Sequence, residues 1–199
     1  MKKLILLLAI VSTGVWCRAQ EHPAAKTPYH LPQVEGWGTE QFPIPIDFAP
    51  SLAYKGVEDI RFSPGWGNSK SEEYWSYSFL WYLDGKQTFT AAIVTRNLEA
   101  YYTGLVGRNI SKRNIPAEKV VAVKAGIRKA ATEKGDEQTF TGTVSMLDYM
   151  TQQPILQYCK VHVKSCDDNT AVFHEISPKP YSHSIWTQMN NIWSGFRCK

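Results

Sequence analysis

The chain predicts an α+β fold, two layers deep. A mainly antiparallel sheet, built from a four-strand meander plus two N-terminal strands, would carry two packed helices. Three patterns predict it. Residues 121–177 alternate apolar and polar side chains at period two, broken by turn-forming residues. Tyr74 to Leu83 reads as a strand, with Trp75, Tyr77, Phe79, Trp81 and Leu83 on one face and Ser76 and Ser78 on the other. Two further segments carry apolar residues at helical spacing.

The first residues read as an address. Met1-Lys2-Lys3 is basic, Leu4 to Trp16 is apolar, and Cys17-Arg18-Ala19 puts small residues where a signal peptidase reads, so residues 1–19 are expected to be a cleaved export signal. Trp16 argues against lipid attachment at Cys17, which needs a small residue before it. Removing the signal takes Lys2, Lys3 and Arg18, so 22 basic residues fall to 19 against 18 acidic ones. A nearly neutral mature chain gives no reason to expect nucleic acid as a partner, and no membrane span is expected once the signal is gone.

Residues 20–50 are expected to form an extended arm, because prolines at 23, 28, 32, 43, 45 and 50 forbid a continuous helix or a central strand. A single domain would then occupy residues 51–199. Val57 to Phe62 predicts a short strand, and the aromatic run 74–83 a longer one. From Thr88, Ala91, Val94, Leu98, Tyr101, Tyr102 and Leu105 predict a helix ending at Gly104 and Gly107. Val121 to Ile127 predicts the next strand. The final helix rests on Ile185, Met189, Ile192, Trp193 and Phe196.

Between these helices the pattern predicts hairpins. A turn at 151–154 would set Met146 opposite Cys159 and Val144 opposite Val161. A turn centred on Asp168 would set Val163 opposite Phe173, leaving His162 and His174 as neighbours on the other face. Cys159 and Cys166 are seven strand residues apart, about 23 Å at ~3.3 Å each, too far to bridge. Cys166, at a strand end, is therefore expected to pair with Cys198, leaving Cys159 a buried thiol.

Gly-Trp-Gly occurs twice, at 36–38 and 65–67, each followed by a carboxylate, Glu40 or Glu72 and Glu73. Such indoles either plug the domain from its loops or stay open, where Trp37 and Trp66, with Glu40 and Glu72, would bind a glycan or peptide. An indole stacks on the apolar face of a sugar ring while a carboxylate accepts its hydroxyl hydrogen bonds. His162 and His174 are candidate metal ligands if paired, although a third ligand is missing and two idle histidines are the commoner case. Glu58, Asp59, Glu72 and Glu73 offer an acid/base pair only if they converge. The basic run Lys112-Arg113 with Lys119 and Lys124 reads as a solvated face. With no recognised catalytic motif and no cofactor signature, the expectation is an exported, non-catalytic binding or accessory module. A small secreted hydrolase using loop carboxylates or the histidine pair is the alternative.

Overall fold

The structure is a computed structural model that describes residues 27–199; the expected signal, and the start of the arm, lie outside the described residues. The elements run β1 (Tyr29–His30), β2 (Gly38–Ile44), β3 (Gly56–Phe62), β4 (Tyr77–Leu83), α1 (Ala91–Arg113), β5 (Lys124–Lys129), β6 (Gln138–Asp148), β7 (Gln153–Cys166), β8 (Asn169–Ser177), α2 (Ser184–Ser194) and β9 (Arg197–Cys198). This is the α+β fold that the patterns predict. Seven antiparallel strands form one sheet in the order β2-β3-β4-β8-β7-β6-β5, and β1 pairs with β9 in a second, two-stranded sheet. Among the described residues no helix is long and apolar enough to cross a membrane.

Alternation along β4 decides where the helices go. Tyr77, Phe79, Trp81 and Leu83 join the core under α1, whereas Leu80 and Tyr82 join the core under α2. The helices therefore cover opposite faces of the sheet, so the α+β fold is three layers deep where two were expected, and the serine-bearing face of β4 is as buried as the aromatic one. Part of the proline-rich arm is itself sheet: β2 is the outermost strand, where Pro43 is tolerated because one side of an edge strand needs no ladder donor.

Helix α1 runs past both glycines that were expected to end it. Thr90 caps its start by accepting the Ile93 N–H at 3.2 Å, and Asn114, in left-handed conformation, closes its end. Gly104 is a packing residue, since a Cβ there would lie 1.8 Å from the Phe48 carbonyl oxygen. The arm crosses the helix at that point. Tyr101, Tyr102 and Val106 are buried around it.

The two hairpins differ in register from expectation, with different consequences. Asp148 accepts hydrogen bonds from the backbone N–H of Met150 and Thr151, drawing the first turn back so that Met146 faces Ile155 and Cys159 faces Gly142. That slip is even, and every side chain keeps its face. The second turn holds two residues, Asp167 and Asp168, with Asp167 at φ 51°, so Val163 faces Val172 and not Phe173. An odd slip exchanges faces. His162 now lies under α2, while His174 lies under α1, its ring 4.2 Å from that of Phe79. The expected bridge Cys166–Cys198 is present, with Cα atoms 5.5 Å apart, and Cys159 is a buried free thiol pushed up to about 12 by its burial.

Candidate functional site

A concavity of about 660 Å³ opens on the α1 face between the edge of the sheet and the C-terminal half of the helix. Three parts of the chain build it. Strands β2 and β3 contribute Glu40, Phe42, Ile60 and Phe62, which share a face because they occupy even positions on paired strands. The 63–76 loop contributes Trp66. One side of α1 contributes Leu105, Arg108, Asn109, Lys112 and Arg113, spaced i, i+3, i+4, i+7 and i+8.

The loop is held rigidly. Trp75 N–H donates to the Trp66 carbonyl at 3.0 Å, and the Glu73 carboxylate accepts the Gly65 N–H at 2.8 Å. Gly65 is required by packing, because a Cβ there would meet Ser71 Oγ at 1.9 Å. Trp66 is half-buried, 4.7 Å from the Phe62 ring and edge-on to Trp75, so it is partly a plug and partly the cleft wall. Trp75 completes the floor with φ 54°, a left-handed conformation costing about 1–2 kcal/mol for a non-glycine residue. Its indole, packed among Trp66, Tyr77 and Tyr149, holds it there.

The other residues singled out from the sequence separate. The backbone flanking Trp37 reaches the cleft through Gly36 and Gly38, but the indole turns away into the α2-side core at 9% exposure. It is not the open indole that its glycines suggested. Glu72 stands apart, accepting Lys179 Nζ at 2.6 Å, which holds its carboxyl below the usual range. Glu58 and Asp59, consecutive on β3, point to opposite faces, and Asp59 pairs with Arg61. The four carboxylates therefore do not converge. Glu40 alone lines the cleft.

Glu58 lies behind the cleft floor, fully buried. Tyr101, which does line the cleft, donates its hydroxyl to Glu58 Oε1 at 2.8 Å. Burial pushes the Glu58 carboxyl up to about 8, against the hydrogen bond from Tyr101, so it is mostly protonated at neutral pH. The histidines are likewise structural in placement. Burial opposes the charge on His162, but Asp136, 2.8 Å away, and Glu175 outweigh it and raise its pKa to about 9, whereas burial drops His174 to about 3. Because they occupy opposite faces, they cannot share an ion. No group of three metal-ligating side chains is assembled among the described residues.

Sequence reasoning missed the cationic wall. Arg108 sits over the Phe48 ring at 5.2 Å and faces Asp47 at 3.6 Å, and Arg113 sits over Tyr149 at 5.3 Å. Their 108, 112, 113 spacing marks one helix face, but only for a helix that continues beyond Gly107. Comparison of the chain with protein-family models, curated proteins and solved structures finds no match.

Proposed function

We propose that this chain is an exported, non-catalytic glycan-binding module and that the cleft beside α1 is its binding site. One observation carries the reading: Trp66, an aromatic floor and the carboxylate of Glu40 meet in a single cleft of about 660 Å³. That volume is in the range of small-ligand sites, and its composition suits a sugar ring, which has an apolar face for the indole and hydroxyls for the carboxylate. The lining supplies one carboxylate where glycoside hydrolysis ordinarily uses two, and this favours binding over cleavage. Export rests on the basic and apolar pattern of residues 1–19, and the Cys166–Cys198 bridge supports it, being a bond that persists in oxidising compartments.

The test is an array of neutral and acidic oligosaccharides probed with the mature protein. Retention of a glycan that Glu40→Gln and Trp66→Phe both weaken, with melting temperatures near that of the parent, is the expected result. Glu40 is exposed on the edge strand, so its substitution leaves the core intact. Retention unchanged by both substitutions, or no retention at all, would overturn the proposal. Trp37→Ala provides the contrast, as truncating a buried indole removes about 3–5 kcal/mol of stability.

A further inference from the structure

Resting on that reading, we infer that the ligand is an acidic saccharide, one whose rings carry carboxylate or sulfate groups, and that Lys112 and Arg113 receive those groups. The cleft has two chemically distinct walls. The helix wall carries three cations, and the strand wall carries Glu40. Arg108 is partly spoken for by Asp47. Lys112 and Arg113 have no carboxylate in ion-pair reach among the described residues, and neither has Glu40 a cation. The cleft thus keeps an excess of positive charge on one side and a free acceptor on the other.

A ligand that fits must present an anion and hydroxyl donors together, on a ring with an apolar face. A neutral glycan leaves the cations without a partner. A nucleic-acid backbone supplies anions, but Glu40 would face its phosphates. An acidic sugar meets both walls, with the anion toward Lys112 and Arg113 and the hydroxyls toward Glu40. Arg113 is suited to this task because the Tyr149 ring lies beneath its guanidinium and Asn109 stands beside it at 3.5 Å, and a planar guanidinium donates two parallel hydrogen bonds to a carboxylate or sulfate.

The experiment measures binding of the mature protein to polygalacturonate (carboxylate), chondroitin sulfate (sulfate), neutral dextran and oligo(dT), at low and raised salt. Expected is binding to one or both acidic glycans at least about tenfold tighter than to dextran, weakening as salt shortens the Debye length from about 10 Å toward 3 Å. Lys112→Gln/Arg113→Gln should lower that affinity by about tenfold or more. Lys86→Gln/Lys134→Gln, exposed and away from the cleft, should not. The carboxylate and sulfate arms identify the source of the anion. Equal, salt-insensitive binding of dextran would overturn the acidic-ligand inference while leaving a glycan cleft standing. Binding to no glycan would overturn both. Tightest binding to oligo(dT), or a loss of affinity in the Lys86/Lys134 control equal to that in the cleft variant, would also overturn the inference.

Discussion

Replacing Glu58 with Gln should make the protein more stable in alkaline solution while leaving it nearly unchanged in mild acid. The carboxyl rises from 4.5 to about 8 on folding, chiefly through burial. Between those values the native state holds a proton that the unfolded chain has released, so stability falls as pH rises through the window and levels off above 8. A rise of about 3.5 units at about 1.4 kcal/mol each amounts to about 5 kcal/mol by pH 9. Gln has the same shape, and its amide oxygen can still accept the Tyr101 hydroxyl, but it does not titrate. Urea denaturation followed by tryptophan fluorescence at pH 5, 7 and 9 measures the difference. Near pH 5 the two proteins should agree within about 1 kcal/mol, and by pH 9 the variant should lead by several. His162, raised to about 9, adds stability that is full below 6.5 and lost through 9, but it does so in both proteins and cancels. A difference that stays constant across this range would refute the assignment of a buried, protonated Glu58.

Two glycines on α1 make opposite predictions for the same change. Gly107→Ala meets nothing within 4 Å and should raise stability by about 1 kcal/mol, the ordinary helix preference for alanine. Gly104→Ala gains the same preference but drives a methyl into the Phe48 carbonyl, and should lower stability by about 1–3 kcal/mol; thermal melts of the pair decide whether the arm packs against the helix there. Cys198→Ser should cost about 4 kcal/mol from the loop closed across a separation of 32, and non-reducing peptide mapping of the parent should recover Cys166 joined to Cys198, with Cys159 alkylated only after denaturation.

What could be read from the sequence was whatever period alone decides. The aromatic face of β4, the strand nature of β5 to β8, both helix positions and the Cys166–Cys198 pairing follow from alternation, helical spacing and reach, and each is present. What could not be read depended on turn size or on contacts distant in sequence. A two-residue turn at Asp167-Asp168, in place of one centred on Asp168, carries His174 and Phe173 to opposite sides from those expected, and with them goes the histidine pair. Trp37 and Trp66 have the same flanking glycines and their segments meet at one cleft, yet one indole enters the α2-side core and the other walls the cleft, a difference that the flanking residues do not encode.

Helix α1 shows why the site in particular was hidden. Read locally, glycines at 104 and 107 end the helix, and the cations that follow become a solvated run. In the fold, Gly104 marks where the arm crosses, and that crossing places Phe48 beneath Arg108. The helix then continues for more than a turn to Arg113, carrying Lys112 and Arg113 to the cleft opposite Glu40. One close approach between segments far apart in sequence therefore accounts both for a glycine within a helix and for the seat of Arg108 at the cleft. It also links the predictions: if Gly104→Ala separates the arm from the helix, it should weaken ligand binding as well as stability, whereas Gly107→Ala should leave binding unchanged. A Gly104→Ala variant that melts lower but binds with parental affinity would show that the crossing supports the fold without shaping the cleft.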